Sequence, residues 1–276
     1  MLTRKINLDE QKIHIYNLDN DGFTIIKSYV LEDEVNKLNA IADHLFKNEQ
    51  MKAKQKSPLG LQKLIKNDNM VNNAPCLNKE FLTLSTTGDH LKILNYFLND
   101  PYYNLIPKNH SNFVLAQGNL RAGRVALPFH VDVRLVTEGN KSWSYQCFLG
   151  LDKIDIKTGC LRVVPKSHFL PNMPDSKKEN SNAINLEIDK GDIILFSSQL
   201  HHATHQTYQK YNPRWTYLLT YRSWWCKQQF DFCKMIDPNI FSDLKPNQKL
   251  LLGACSQVPD SIYASPSSRH GYEIFN

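Results

Sequence analysis

The spacing of hydrophobic residues changes near residue 112 of this 276-residue chain. Before that point, apolar residues recur three and four positions apart, which is typical of amphipathic helices. The pattern predicts one helix over Leu31–Lys47 and a second over His90–Leu98. Residues 21–30 are predicted to form a turn followed by a short strand. The N-terminal part, about 1–110, is therefore expected to be mainly helical.

From Asn112 onward the chain consists of short β-prone runs separated by turn-forming residues. Many short strands of this kind favour an antiparallel sandwich or jelly roll over a parallel α/β sheet. We therefore predict a mainly β fold with flanking helices, in one domain spanning 1–276. Its β core covers about 111–225, and a C-terminal extension over about 226–276 contains a helix at Leu244–Leu252. The predicted strands are Phe113–Leu120, Phe129–Val136, Trp143–Leu151, Cys160–Val164, Ala183–Ile188, Asp192–Phe196 and Trp215–Arg222.

Two further segments are distinctive in composition. Residues 48–80 are rich in Lys, Asn and Gln, which predicts a mobile surface segment and a candidate flap over a site. Its lysines are a candidate cationic lid, although a solvated polar loop is the favoured interpretation; they are Lys52, Lys54, Lys56, Lys63 and Lys66. An aromatic cluster after the last predicted strand favours packing or a dimer contact over a substrate wall. It consists of Trp224, Trp225, Phe230 and Phe232.

The charge and the cysteines narrow the class of protein. The net charge of +6 is modest, and the lysines are not interleaved with aromatic residues, so nucleic-acid binding is disfavoured. The chain shows no apolar run typical of a signal peptide or a membrane span, which predicts no membrane partner. The six cysteines form no Cys-x-x-Cys pair. We expect a cytoplasmic protein, with monomer and homodimer both open.

The strongest candidate site lies in the predicted strand at Phe129–Val136. His130 and Asp132 are two residues apart, and side chains at that spacing in a strand share a face. They can therefore offer a nitrogen and an oxygen to one metal ion. His202 is the favoured third ligand over the neighbouring histidines, His201 and His205. Two histidines and one carboxylate form the facial triad of non-haem Fe(II) oxygenases.

Downstream residues fit a carboxylate-bearing co-substrate. Arg214 opens the strand after His202, and a guanidinium there can hold the far carboxylate of 2-oxoglutarate through two parallel hydrogen bonds. Thr204, two residues beyond His202, can donate its hydroxyl to the same carboxylate. Arg134 faces the same way as Asp132 if the strand alternation persists, which makes it a candidate substrate-binding cation.

The order of these motifs resembles a known family. His130-x-Asp132, the run Thr158–His168, Gly191-Asp192 and His202-Ala203-Thr204 followed by Arg214 are similar to the phytanoyl-CoA dioxygenase family of Fe(II)- and 2-oxoglutarate-dependent oxygenases. The resemblance extends from about Asp21 to Arg222. In the run Pro165-Lys166-Ser167-His168, Lys166 replaces the glycine that is usual in this family.

The resemblance implies a double-stranded β-helix (a cupin-like jelly roll) with iron held by His130, Asp132 and His202. It also implies that Arg214 and Thr204 bind 2-oxoglutarate, with the aromatic ring of Phe148 beside it, and that His168 is structural. The implied cofactors are Fe(II), 2-oxoglutarate and O₂, with ascorbate as a candidate reductant. The implied activity is hydroxylation of a small-molecule metabolite. The alternatives are a jelly-roll binding module that has lost its chemistry and, less favoured, an oxygenase that modifies protein or nucleic acid.

Overall fold

Two antiparallel β-sheets packed face to face contain the ten strands formed by the described residues. The structure is a computed structural model and describes residues 2–52, 68–103, 106, 110–123, 126–133, 135–139, 142–205 and 214–257. The strands are β1 (Phe23–Ile26), β2 (Asp68–Val71), β3 (Phe113–Gly123), β4 (Leu127–His130), β5 (Ser144–Gly150), β6 (Leu161–Val163), β7 (Ile184–Leu186), β8 (Ile193–Ser197), β9 (His202–Thr204) and β10 (Thr216–Ser223). The helices are α1 (Leu8–Asp21), α2 (Glu32–Lys52), α3 (Ala74–Leu77), α4 (Lys79–Thr86), α5 (His90–Leu98), α6 (Phe232–Met235), α7 (Pro238–Ser242) and α8 (Pro246–Leu251). Single 3₁₀ turns lie at Ser167–Phe169 and Ala254–Ser256.

The order of the strands is that of a jelly roll. The larger sheet runs β1-β8-β5-β10-β3-β2 and the smaller one β4-β9-β6-β7, and every pairing is antiparallel. Consecutive strands along the chain alternate between the two sheets over β4 to β6, which closes the double-stranded β-helix. The predicted fold class, mainly β with flanking helices, is confirmed.

The two faces of the larger sheet serve different purposes because side chains alternate along each strand. One face packs against the N-terminal helices in the main hydrophobic core, which includes Cys147 and Leu149 of β5. Phe148, between them, points the other way into the space between the sheets and packs with Leu161 of the smaller sheet. None of the helices in the described ranges combines the length and apolar character needed to span a bilayer.

Helix α1 was not predicted, because only Leu18 of its residues is buried and its apolar periodicity is weak. Its end signals are nevertheless present in the sequence. Asn7 accepts hydrogen bonds from the first-turn amides, and the Glu10 side chain completes a capping box. Gly22 ends the helix at φ +83°, a left-handed conformation that favours glycine.

Most predicted elements are observed, and the main error concerns 48–80. Helix α5 has the predicted bounds, and α2 extends the predicted one by a turn. Within 48–80, however, β2 pairs with β3, and α3 and α4 follow it. The expected loop is instead regular secondary structure over much of 68–80, where Val71, Ala74 and Pro75 are buried. Lys54, Lys56, Lys63 and Lys66 of the candidate lid lie outside the described residues, and Lys52 is the last residue of α2.

Candidate metal centre

The three residues predicted as metal ligands meet at the pairing of β4 with β9. The register of these antiparallel strands places His130 directly opposite His202, and their ring centroids are 4.1 Å apart. Nε2 of His130 lies 3.6 Å from Asp132 Oδ1, and Nε2 of His202 lies 3.5 Å from Asp132 Oδ2. Within the described part of the chain, this is the one cluster of at least three His, Cys, Asp or Glu donors with metal-binding spacing.

Asp132 reaches the cluster by a route that differs from the predicted one. The predicted strand continued through Asp132 to Val136, but β4 ends at His130 and Asp132 lies in the bend that follows. There the Asp132 amide donates to the carbonyl of Ser198, at 2.8 Å, in the turn before β9. The bend, and not strand alternation, therefore turns the carboxylate toward the two histidines.

Both histidine rings are fixed in the tautomer that a metal ion requires. Nδ1 of His130 donates to the carbonyl of Pro128 at 2.8 Å, and Nδ1 of His202 donates to the carbonyl of Leu200 at 2.9 Å. A carbonyl can only accept, so each ring carries a proton on Nδ1, and Nε2 is the nitrogen that faces Asp132 and is available to a metal ion once it is unprotonated. Such hydrogen bonds to the outer ring nitrogen are the usual support of a metal-binding histidine.

The spacing of the donor atoms is close to that of a metal site. Donor atoms about 2.1 Å from one octahedral ion and adjacent on one face are about 3 Å apart. The two carboxylate–imidazole distances here, 3.5 and 3.6 Å, exceed this by about half an ångström. Small side-chain rotations would bring the three donors to the coordination distance, so the residues fit a divalent metal ion.

The directions of the pKa shifts favour an ion pair between Asp132 and His202 in the metal-free site. Burial opposes ionisation of Asp132, but the charge and hydrogen bond of His202, together with the charges of His130 and Arg222, outweigh it and lower the pKa of Asp132. Burial likewise opposes protonation of His202, and Asp132 reverses this and raises the pKa of His202. Burial and the charge of His202 lower the pKa of His130. A metal ion would replace the proton on His202 and keep the carboxylate charge compensated.

A glutamine between β8 and β9 holds the loop that carries Asp132. Oε1 of Gln199 accepts hydrogen bonds from the amide and the hydroxyl of Thr137, at 2.6 and 2.8 Å. Its Nε2 donates to the carbonyl of His168 at 3.4 Å. Sequence reasoning missed this residue, although a polar Ser197-Ser198-Gln199 run directly after a buried strand was a usable signal.

The structure distinguishes the three histidines at the start of β9. Nε2 of His201 bonds to the carbonyl of Asn172 at 3.0 Å, and Nε2 of His205 bonds to Oδ1 of Asn185 at 2.8 Å. Both rings are therefore engaged elsewhere, and only His202 joins the cluster. The favoured choice of His202 agrees with this placement.

The loop at 165–169 joins the site to α1. Ser167 Oγ accepts from the amide of His201 at 2.8 Å, and His168 Nε2 donates to the carbonyl of Asp19 at 3.0 Å. His168 thus lies outside the cluster, in keeping with the structural role expected of it. Lys166 has φ +66°, a left-handed conformation in which a residue with a Cβ is strained. This conformation explains why glycine is usual at this position.

Arg214 is a buried cation with unused donors. Its Nη2 donates to the carbonyl of Gly159 at 2.9 Å, whereas Nε and Nη1 are buried without a hydrogen-bond partner among the described residues. Burial, together with the charge of Arg121, lowers its pKa to about 10. A buried guanidinium without an anion is unfavourable, so the donor set fits a carboxylate supplied by a ligand.

The structure describes two of the three remaining predicted site residues, Thr204 and Phe148. Thr204 Oγ1 accepts from the amide of Leu127 at 3.0 Å. Phe148 is buried on the inner face of β5. Arg134 lies outside the described residues. The roles of Thr204, Phe148 and Arg134 in binding stay predictions.

Comparison with known proteins gives a family match and a shared fold. Residues 18–209, more than half of the chain, match the profile of the family described as phytanoyl-CoA dioxygenase (PhyH). Among curated protein sequences there is no significant match.

Solved structures of the same fold include enzymes with different reactions. The epimerase SnoN, in complex with Fe³⁺, alpha ketoglutarate and nogalamycin RO, superposes with a TM-score of 0.59 at 14% identity, covering 79% of this chain and 86% of that one. HygX from Streptomyces hygroscopicus, with nickel, 2-oxoglutarate and hygromycin B bound, gives 0.60 at 15% identity, covering 79% and 89%. The carbocyclase SnoK from nogalamycin biosynthesis gives 0.56 at 13% identity, covering 77% and 83%. At such identities the similarity establishes the fold and leaves the reaction open.

Proposed function

Because the chain belongs to the phytanoyl-CoA dioxygenase family, we propose that it is a non-haem Fe(II)- and 2-oxoglutarate-dependent dioxygenase that hydroxylates a small-molecule metabolite. One observation carries the proposal: a 2-His-1-carboxylate cluster occurs together with a buried arginine, Arg214, whose Nε and Nη1 have no hydrogen-bond partner among the described residues. The cluster is the ligand set of Fe(II) oxygenases, and the arginine is the group expected to hold the far carboxylate of 2-oxoglutarate. A sugar- or partner-binding jelly roll needs neither.

Each residue then has a defined task. His130, Asp132 and His202 would hold the iron by one face, and Arg214 with Thr204 would hold the co-substrate. Bound iron and 2-oxoglutarate supply the oxidation by O₂, with decarboxylation of 2-oxoglutarate to succinate and CO₂ and with ascorbate as a candidate reductant. The chain contributes ligands, orientation and a site partly shielded from water.

Asp132 favours hydroxylation over halogenation within this chemistry. A halogenase has a small residue in place of the carboxylate, which leaves a metal position for chloride, whereas here a carboxylate faces both histidines. Epimerisation and cyclisation occur on the same fold in SnoN and SnoK. Product analysis is therefore part of any test of the hydroxylase assignment.

We also propose a cytoplasmic setting for the enzyme. The five cysteine side chains that the structure describes are free thiols, which is typical of a reducing compartment.

The test is anaerobic addition of Fe(II) and then 2-oxoglutarate to the metal-free protein, followed by visible absorbance. We expect a weak charge-transfer band that requires both additions and is lost in His130→Ala. The matched control is His205→Ala, which removes a nearby histidine whose ring is bonded to Asn185 and not to the cluster. The control should keep the band.

The possible outcomes test the metal ligands, the co-substrate and the non-catalytic alternative separately. A band that survives His130→Ala, or that disappears equally in His205→Ala, contradicts the assigned ligand set. Tight Fe(II) binding without a band on adding 2-oxoglutarate contradicts the co-substrate assignment. No Fe(II) binding at all favours the alternative, a non-catalytic jelly-roll binding module.

A further inference from the structure

An open cleft of about 710 Å³ leads to the carboxylate of Asp132. It lies between the bend after β4, the inner face of the larger sheet and the segment after β10. A larger cavity, of about 860 Å³, lies among α4, α5, α7 and α8 and contains none of the three proposed metal ligands. Of the three proposed metal ligands, Asp132 lines the first cleft, so a molecule bound there would lie beside that ligand. Its size suits a small organic molecule.

Gln117, Ser144 and Gln146 on the floor of this cleft belong to a connected row of polar side chains that spans three strands, β3, β10 and β5, and the turn after β8. Gln117 donates to Thr220 at 2.8 Å, Thr220 donates to Gln146 at 2.6 Å, and Gln146 donates to Ser198 at 3.1 Å. Ser198 in turn donates to Ser144 at 2.9 Å. The row fixes the two carboxamides in orientation, and each keeps a second N–H without a described acceptor. The floor thus offers rigid donors to oxygen atoms of a ligand.

The walls of the cleft are apolar. The rings of Trp143 and Trp225 meet edge to face, with centroids 5.1 Å apart, and Trp225 is 52% exposed. Val131, Val133 and Leu135 complete the apolar lining. The sequence favoured packing or a dimer contact for Trp225, but the structure places this ring in the cleft lining. An exposed aromatic pair beside aliphatic side chains is suited to an apolar or aromatic ligand body.

Arg222 supplies a positive charge that has no close ion pair with a described carboxylate, although it acts on Asp132 across the cleft. It follows Thr220 by two residues on the same face of β10 and pairs in register with Ser144. Its Nη1 donates to the carbonyl of Lys227 at 3.1 Å, and no carboxylate of the described residues lies within 4 Å of its guanidinium. The described lining contains two cations, Arg222 and Lys227, and one acid, Asp132. The two cations outnumber the one acid, so the described lining is net positive without a metal ion.

We propose that this cleft binds the oxidised substrate and that the substrate is an organic anion, with an apolar or aromatic body against Trp143 and Trp225 and a carboxylate, sulfonate or phosphate paired with Arg222. The role as substrate site rests on the proposed function. The binding chemistry rests only on the residues of the cleft. Arg222 is then the residue that determines specificity for a negative charge.

The test uses two probes that share one aromatic body. 8-Anilinonaphthalene-1-sulfonate carries a negative charge, whereas N-phenyl-1-naphthylamine does not, and the fluorescence of both reports binding. Titrations are made on metal-free protein, so their outcome does not depend on whether iron and 2-oxoglutarate bind. The variants are Arg222→Gln, Arg222→Lys and Trp225→Ala, with Arg4→Gln as control. Arg4 is paired with Glu10 and lies outside the cleft.

We expect Arg222→Gln to raise the Kd of the sulfonate about tenfold or more, because a charge-assisted hydrogen bond is lost. The Kd of the neutral amine should stay within about twofold. Arg222→Lys should retain most of the sulfonate affinity, Trp225→Ala should weaken both probes alike, and Arg4→Gln should change neither.

Three results would overturn the proposal: no saturable sulfonate binding by the wild type, equal sulfonate affinity in wild type and Arg222→Gln, or equal losses for both probes in Arg222→Gln. Failure of the proposed function is read separately, from the Fe(II) and 2-oxoglutarate absorbance band of the same preparations. Arg222-dependent sulfonate binding without that band would support the anion site and contradict the dioxygenase.

Discussion

At the scale of single residues, the polar groups of the site differ in whether they have hydrogen-bond or ion-pair partners among the described residues. The two metal-facing histidines have their outer nitrogens bonded, and Asp132 is paired with His202. Arg214, by contrast, is buried with two N–H groups unpartnered among the described residues. Leaving buried donors unpaired costs free energy of folding. A bound carboxylate would accept hydrogen bonds from these N–H groups of Arg214 and remove that cost.

This contrast predicts the behaviour of Arg214→Leu. We expect the 2-oxoglutarate concentration needed for half of the absorbance band to rise about 100-fold, since a desolvated charge pair is lost. Thermal unfolding of the ligand-free variant should occur at the same or a higher temperature, because a buried unpaired cation is removed. The measurements are a 2-oxoglutarate titration and a melting curve.

Arg162→Leu is the control for this prediction, because Arg162 pairs with Glu179 and, by the register of β6 with β9, lies on the opposite face of the sheet from Thr204. Its 2-oxoglutarate requirement should match that of the wild type. An Arg214→Leu protein with an unchanged requirement, or with a large loss of thermal stability, would assign Arg214 a structural role.

At the scale of secondary-structure elements, the site depends on a turn and not on a strand alone. Asp132 lies beyond the end of β4, so the ladder with β9 does not position it. Asp132 is instead positioned by the hydrogen bonds that Asp132 and Thr137 donate to the turn at Ser198-Gln199. Gln199 is thus a positioning residue for the metal cluster.

The consequence can be measured with Gln199→Ala. We expect the Kd for Fe(II) to rise about tenfold, within the range usual for residues that orient metal ligands. Thr137→Val removes the hydroxyl donor and keeps the amide donor, so its effect should be smaller. The absorbance band at saturating Fe(II) and 2-oxoglutarate should keep its position in both variants, since all three ligands remain.

Two results would contradict the proposed role of Gln199 in holding the loop. If Thr137→Val weakened Fe(II) binding more than Gln199→Ala, the two hydrogen bonds would not act through Gln199. If the band shifted, Gln199 would contact the bound group instead of holding the loop.

At the scale of the whole molecule, a buried histidine links the helical layer to the larger sheet. Tyr221 of β10 donates its hydroxyl to the carbonyl of Ser85 at 2.7 Å, so it accepts from Nε2 of His90 at 3.2 Å. Nδ1 of His90 is then unprotonated and accepts from the hydroxyl of Tyr29 at 2.7 Å. Burial lowers the pKa of His90 to about 3. The network therefore requires a neutral imidazole.

This requirement predicts a pH dependence of stability. The ordinary pKa of histidine is about 6.5, so between pH 6.5 and 3 the unfolded chain binds one more proton at this position than the folded one. The contribution of His90 is complete above pH 6.5 and decreases as the pH falls. In urea unfolding between pH 6 and 4.5, the wild type should lose up to about 1.4 kcal/mol per pH unit more than His90→Gln.

Glutamine is the appropriate replacement because its amide can accept from Tyr29 and donate to Tyr221 without titrating. The variant should be less stable at pH 7, since it leaves a small cavity, but its dependence on pH should be shallower. His44→Gln, at an exposed position on α2, serves as control and should follow the wild-type slope. Equal slopes in wild type and His90→Gln would contradict the neutral network.

Much of the molecule follows from the sequence alone. Hydrophobic spacing determined α2, α5 and most strands, because burial of one face is imposed by the local period. The identity of the candidate ligands also followed from the sequence, since His-x-Asp, a later histidine and an arginine are chemical types in a set order. The capping signals of α1 were present but were outweighed by its weak apolar pattern.

Only the tertiary structure decided which groups face one another. The pairing of β4 with β9 places His202 opposite His130, and the bend after β4 brings Asp132 to these two histidines and to neither His201 nor His205. Packing of distant segments buries Arg214 with two N–H groups unpartnered among the described residues and gathers Arg222 and Trp225 into one cleft. Such placements depend on strand register and on the conformation of loops that follow the paired strands. Contacts between residues far apart in the chain set both, and local hydrophobic spacing does not predict those contacts.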